Sequence, residues 1–228
     1  MYRYLLFHKP YGVLCQFTDD AIPPRPTLKD FIDVPEVYAV GRLDFDSEGL
    51  LLLSNDGPLK HQLLDPQFAH ERTYWVQVEN IPTAPALDQL ASGVVIQGYR
   101  TKPAKVNLIP SPTVPDRNPP IRFRQSIPTA WLEITLTEGK NRQVRRMTAA
   151  VGHPTLRLLR VSMGNLQLHS PQLGNLPQGQ WRDCSPDEVQ TLQHSLRQPW
   201  RLGVKPAPRE YHPKTSRTTL NKSPRKKS

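Results

Sequence analysis

Cysteine is nearly absent: Cys15 and Cys184 are the only two in 228 residues. Two thiols cannot build a disulfide framework, and no Cys/His cluster has the spacing of a zinc site. The chain therefore reads as free of disulfides and metal, and a cytoplasmic setting is expected. Long apolar runs are also missing. No stretch approaches the roughly 20 residues that span a bilayer. The opening segment, Met1 to Pro10, is too short and too soon interrupted for a secretory signal. Neither a GxGxxG fingerprint nor a GxxxxGK[ST] loop occurs, so no nucleotide cofactor is signalled. Aromatic residues make up only 7% of the chain, which leaves little for the stacking platforms of a sugar-binding cleft.

Positive charge is what the chain does have, a net of +10, and it is unevenly placed. Residues 197–228 carry ten Lys/Arg against the single acid Glu210, while residues 1–196 are nearly balanced. Inside the balanced part, residues 117–160 hold nine Lys/Arg against Glu133 and Glu138. The tail and the internal patch both suit a polyanion, and nucleic acid comes first. The tail, rich in Pro, Ser, Thr, Lys and Arg, is expected to be disordered. The catalytic or binding domain is expected to span residues 1–196, and a monomer is expected.

The patterning gives short strands with helices inserted irregularly. Strands are expected at Tyr2–Phe7, Val13–Phe17, Leu50–Leu53, Thr73–Val78, Val94–Ile96, Ala104–Ile109, Trp131–Leu136 and Leu156–Met163. Helices are expected at Leu59–Leu64, after a Thr83 cap, over Asn141–Val151, and after the capping box Ser185-Pro186-Asp187-Glu188. Five prolines between Pro110 and Pro120 exclude regular structure there. Without a βαβα alternation the class is α+β, with a largely antiparallel sheet.

Three segments could carry chemistry. Gly41-Arg42-Leu43-Asp44-Phe45-Asp46-Ser47-Glu48-Gly49 sets three carboxylates on a glycine-bounded loop before a buried strand. A carboxylate there can be partly desolvated yet reachable, as nucleophilic or general-base work requires. The residues alone do not choose among Asp44, Asp46 and Glu48, and a turn with capping side chains has the same composition. Glu138-Gly139-Lys140-Asn141-Arg142-Gln143-Val144-Arg145-Arg146-Met147 leads from a turn into an arginine-rich helix start, suited to phosphate oxygens or to holding a buried carboxylate ionised. Arg72-Thr73-Tyr74 puts a tyrosine on a strand, where packing is the ordinary role.

Taken in order, these segments, with Lys9-Pro10-Tyr11-Gly12-Val13-Leu14 before them and Leu156 to Gly164 after them, resemble the RsuA-like branch of the RNA pseudouridine synthases. The likeness runs from Leu5 to about Asp183. It implies the pseudouridine-synthase fold, a mixed, mainly antiparallel sheet with flanking helices and a central cleft. It also implies isomerisation of uridine to pseudouridine in RNA with no cofactor or metal. Carried over by position, Asp44 is the essential carboxylate, Tyr74 the general base, and Arg145 the arginine that pairs with Asp44. Arg42 contacts RNA, and Lys140, Asn141, Arg142 and Arg146 are further candidates for RNA binding. Arg117 to Arg122, Ser126 to Thr129 and Thr155 to Arg157 resemble the RluE subtype, which acts on 23S rRNA. With the first strand expected at Tyr2, no preceding S4 RNA-binding domain is expected. Arg72 departs from the lysine usual there, and the tail extends past the subtype's usual end.

Two other functions fit part of the pattern. A non-catalytic rRNA-binding or ribosome-assembly protein would use the same basic residues, but it has no need of Asp44, Tyr74 and Arg145 together. A glycoside hydrolase could pair Asp44 with Asp46 or Glu48, but a basic patch serves nothing against a neutral sugar.

Overall fold

The computed structural model describes residues 1–121, 126–170 and 174–197. The basic tail lies outside these residues, Arg197 excepted, as do Arg122 and Arg124 of the internal patch. In chain order the elements are β1 (Tyr4–Lys9), β2 (Tyr38–Ala39), β3 (Glu48–Ser54), α1 (Gly57–Leu64), β4 (Arg72–Glu79), α2 (Ala84–Ser92), β5 (Val95–Ile96) and β6 (Tyr99–Arg100). There follow β7 (Lys105–Ile109), β8 (Thr129–Leu136), α3 (Gln143–Ala150), β9 (Thr155–Met163), β10 (Leu166–Gln167), β11 (His169–Ser170), β12 (Gly174–Asn175), β13 (Trp181–Asp183) and α4 (Pro186–Arg197). Among the described residues the main sheet runs β13-β1-β3-β9-β4-β8-β7, with β2 beside β3 and β10 beside β9. Its strand pairs are antiparallel except β3 with β9. This is the expected α+β architecture.

The apolar runs explain the layering. Strands β1 and β3 are buried on both faces, which is why Leu50 to Leu53 shows no alternation with polar residues. Tyr4, Leu6, Leu50 and Leu52 pack with Leu59 and Leu63 of α1 and Leu192 and Leu196 of α4. Leu5, Phe7, Leu51 and Leu53 face the other way, onto Leu28, Ile32 and Val37. Each fully buried leucine contributes about 2 kcal/mol. In the other half of the sheet, Val76, Val78, Leu132 and Ile134 pack against Leu90 of α2 and Val144 and Met147 of α3. Trp131 and Leu159 take the opposite face. The alternation read in Trp131–Leu136 is therefore real.

Several local expectations change. Val13–Phe17 forms no strand, only an isolated bridge between Leu14 and Thr27. The segment facing it contains Pro23, Pro24 and Pro26, which lack the donors to extend a ladder. Thr83 stands at the N-cap of α2 but its side chain makes no cap bond. Helix α3 begins at Gln143, two residues late, because Arg142 is left-handed at φ 51°. At α4 the capping box closes as expected: Glu188 accepts from the Ser185 N–H at 2.8 Å, and its own N–H donates to Ser185 Oγ at 3.2 Å. The short strands β2, β6, β10, β11, β12 and β13 have no counterpart among the expected strands, since two or three residues carry no period.

The two halves of the sheet meet through β3 and β9. They share two register pairs, Glu48 with Leu159 and Gly49 with Arg160. Gly49 has φ 105°, and a Cβ there would lie 2.3 Å from the Arg160 carbonyl oxygen. Beside it, Arg157 holds Glu48 through two bonds of 2.9 Å, with both side chains almost wholly buried. Gln178 adds a bond to Glu48 at 3.1 Å, and Arg157 reaches the Pro115 carbonyl at 2.8 Å, tying the proline-rich segment to the junction.

Gly49→Ala should destabilise the protein by more than about 3 kcal/mol, since backbone strain and a steric clash add together; urea unfolding measures this. Glu48→Gln should cost about 3 to 5 kcal/mol by stranding the Arg157 charge. In the same unfolding assay, Glu48→Met with Arg157→Met should recover much of that loss.

Candidate active site

A cavity of about 340 Å³ lies between the loop that enters β3 and the strands β4 and β9, at the small end of ligand pockets. One wall is the loop from Val40 to Ser47, the second the turn from Thr137 to Val144, and the floor includes Tyr74, Leu158 and Arg160.

The opening motif supports the acidic loop from beneath. Lys9 is fully buried, and its Nζ donates to the Ser47 carbonyl at 2.7 Å and the Pro10 carbonyl at 2.9 Å. Burial pulls this ammonium down to about 8. The Gly12 N–H donates to the Phe45 carbonyl at 2.9 Å, from a glycine at φ 72°. The Leu43 N–H reaches Cys15 Sγ at 3.2 Å. The loop closes on itself through the Ser47 N–H to the Asp44 carbonyl at 3.0 Å. Main-chain contacts on both sides thus fix the three carboxylates left open by the sequence.

Their surroundings separate them. Glu48 is 1% exposed and spent on Arg157. Asp46 is clamped by both forks of Arg142 at 2.8 Å, with Arg145 Nε at 3.4 Å. Burial opposes its charge, but the Arg142 bonds and the Arg145 charge outweigh it and hold Asp46 below the usual carboxylate range. Asp44 lines the cavity, its side chain 31% exposed, with Arg142 Nη1 at 3.5 Å. Of the three, Asp44 alone faces the cavity with a carboxylate not consumed by a close ion pair.

The expected ion pair between Arg145 and Asp44 is not what the structure has. Arg145, 13% exposed, pairs with the Asp46 carboxylate and donates to the Asp46 carbonyl at 2.6 Å. It acts on the loop one position beyond the cavity-facing acid. The left-handed turn at Arg142 instead swings that residue's guanidinium across both aspartates. Tyr74 lies on the floor as expected, with Arg160 opposite it in register.

Of the RNA-binding candidates, Arg42, Lys140, Asn141 and Arg142 line the cavity. Arg146 does not; it bonds the Asn141 carbonyl and, at 2.8 Å, the Asn141 side chain, bracing the start of α3. Glu138 is likewise structural: it accepts from Gln143 at 2.7 Å and the Lys102 N–H at 2.8 Å. Much of the described basic patch is therefore engaged within the chain. Arg142 and Arg145 serve Asp46, Arg157 serves Glu48, and Arg117 stacks 4.3 Å from the Tyr11 ring. Arg160, Arg72 and His70, which also line the cavity, were not singled out as site residues. Arg72 and Arg160 fall within segments that the sequence marks, but nothing in those segments assigns them to the site, because their place depends on which face of β4 and β9 meets the cleft.

The family model for RNA pseudouridylate synthases matches residues 3–150. A ribosomal large subunit pseudouridine synthase E of Xanthomonas campestris pv. campestris is 54% identical over 179 residues, 78% of this chain and 93% of the relative. One of the same name from Vibrio parahaemolyticus is 52% identical over 181 residues, 79% of this chain and 73% of the relative. A ribosomal small subunit pseudouridine synthase A of Salmonella typhimurium is 33% identical over 195 residues, 83% of this chain and 74% of the relative. A crystal structure of a pseudouridylate synthase superposes with a TM-score of 0.68 at 28% identity, covering 84% of this chain and 74% of that one. The ordered motifs, the two-part sheet with its cleft and these likenesses agree: the chain belongs to the RNA pseudouridine synthases, in their RsuA-like branch, and is an isomerase acting on RNA.

Proposed function

We propose that this chain isomerises one uridine of 23S rRNA, as a cytoplasmic monomer, with Asp44 as the catalytic carboxylate. The observation that carries the assignment is the separation of the three acids: Asp46 and Glu48 are held by arginines, and Asp44 faces the cavity. The 23S substrate is supported by relatives named for the large subunit at 52–54% identity, against 33% for one named for the small subunit.

The cavity admits a single nucleoside, so the target uridine leaves its stack. Extrusion costs a few kcal/mol, roughly, which phosphate contacts from Arg42 and Lys140 at the rim offset. The C1′–N1 bond then breaks with its electron pair on the base, and the Asp44 carboxylate meets the electron-poor C1′. The base turns and C5 bonds to C1′ as Asp44 withdraws; the C5 proton passes to the Tyr74 oxygen while that hydroxyl gives its own proton to solvent, and N1 gains a proton from solvent. Arg142 and Arg145 hold the loop so that Asp44 keeps its position.

Asp44→Asn should abolish turnover and leave RNA affinity nearly unchanged. Chemical mapping of pseudouridine in 23S and 16S rRNA, from cells with the gene intact, deleted or carrying Asp44→Asn, checks this. One 23S position should vanish in both altered strains; wild-type modification by the mutant would refute the assignment. Arg145→Met should slow turnover by about 10- to 100-fold with little change in RNA affinity, because its guanidinium lies under the loop. Arg42→Ala and Lys140→Ala should each weaken RNA binding and lower the salt slope by about 1, as lost phosphate contacts do; filter-binding titrations at several salt concentrations separate the two behaviours.

A further inference from the structure

Arg160 is a buried arginine on the cavity floor that no carboxylate among the described residues pairs with. Its side chain is 3% exposed and lines the cavity. Nε donates to the Leu50 carbonyl at 2.9 Å, and Nη2, closed to water, has no hydrogen-bond partner. Among the described residues it makes no ion pair, unlike Arg142, Arg145 and Arg157. A buried guanidinium with a neutral carbonyl as its partner and an unused N–H is costly, and such groups persist where they serve a ligand. Its neighbour Arg72 adds positive charge to the same wall, and its fork is taken up by the Leu63 and His70 carbonyls at 3.0 and 3.4 Å. Of these two arginines the spare donor belongs to Arg160; Ser47 Oγ and His70 Nε2 on the same lining are also buried without a partner.

Its place is tightly determined. Arg160 sits at the register pair with Gly49, where the absence of a Cβ lets the β3 backbone close onto the Arg160 carbonyl. It is also directly opposite Tyr74 across β4 and β9. The same junction that joins the two sheet halves therefore sets a guanidinium beside the tyrosine and across the cavity from the acidic loop.

Resting on the reading of this cavity as the isomerisation site, we infer that Arg160 binds the uracil ring of the target nucleotide through a carbonyl oxygen and stabilises it as the leaving group. A phosphate is the less fitting ligand. The phosphates stay with the strand at the rim, where Arg42 and Lys140 are exposed, whereas Arg160 is at the floor, where the base must lie. When C1′–N1 breaks, the electron pair goes to N1 and its negative charge spreads to O2 and O4. An N–H aimed at one of these oxygens bonds more strongly in the transition state than to neutral uridine, which is the condition for accelerating the step. It also keeps the freed base in the cavity while it turns.

The test compares wild type, Arg160→Met, Arg160→Lys and Asp44→Asn in single-turnover cleavage of the target N-glycosidic bond. Each is assayed on an RNA substrate with uridine at the target and on one with 5-fluorouridine, whose base carries the leaving charge better. RNA affinity and its salt slope are measured alongside, and thermal melting confirms folding. Arg160→Met should be slower by about 100-fold on uridine, the scale of losing one transition-state donor. That deficit should shrink to about 10-fold or less on 5-fluorouridine, with RNA affinity and salt slope unchanged. Arg160→Lys keeps the charge but cannot serve Leu50 and the base together; it should fall between, and it carries the comparison alone if the methionine variant does not fold. Equal deficits on both substrates, wild-type rates in the variants, or a salt slope lower by about 1 would overturn the inference, the last by marking a phosphate contact. Asp44→Asn separates the two readings. If it is inactive while the Arg160 variants turn over normally, this inference alone fails; if it is active, the assignment of the cavity fails.

Discussion

The approach of β3 to β9 at Gly49 and Arg160 is the contact on which the rest of this structure depends. Two half-sheets, each with its own apolar layers and helices, are joined by a parallel pairing of two register positions. Such a short ladder is weak by itself, and three features reinforce it: a glycine that lets the backbones close, the buried Glu48–Arg157 pair, and Gln178 on the same carboxylate. The cavity lies beside this junction, lined by the loop that enters β3 and by Leu158 and Arg160 of β9.

Charge is organised around the same point. Arginines converge on the acidic loop from α3 and from β9, and each carboxylate finds a different fate. Glu48 is sealed into the junction, Asp46 is clamped by Arg142 and Arg145, and Asp44 is left at the cavity with Arg142 at 3.5 Å. Both clamped acids can be regarded as the means by which the loop is held rigid around the third. Preorganisation of this kind matters because a reacting carboxylate displaced by about 1 Å can lose about 100-fold in rate. The Lys9 ammonium completes the support from below, binding main-chain carbonyls rather than a carboxylate, so it positions the loop without neutralising it.

The patch of arginines at 117–160 shows how sequence charge and surface charge differ. In the sequence it reads as a polyanion-binding face. In the folded chain most of its described members are internal partners, and those left at the rim are few. The basic side chains lining the cavity include Lys140 and Arg142, with Arg42 contributed from a distant part of the chain.

Much was determined by the sequence itself. The all-apolar Leu50–Leu53 run could only be a strand buried on both faces. The period-2 pattern in Trp131–Leu136 and the capping box at Ser185 specified their elements locally, and the ordered motifs marked the family. Those features act through neighbours in the chain, so they are legible in it. What only the tertiary structure decided depends on partners far apart in sequence: that Arg145 pairs with Asp46 and not Asp44, that Glu48 is consumed by Arg157, and that Arg146 turns back onto Asn141. It also decided that Arg160 reaches the cavity floor, since that requires β9 to lie between β3 and β4. The physical reason is the range of the interactions. Propensity, periodicity and capping are set within a few residues, whereas an ion pair or a cavity wall is chosen by the packing of strands more than a hundred residues apart, through a single glycine contact that no local pattern encodes.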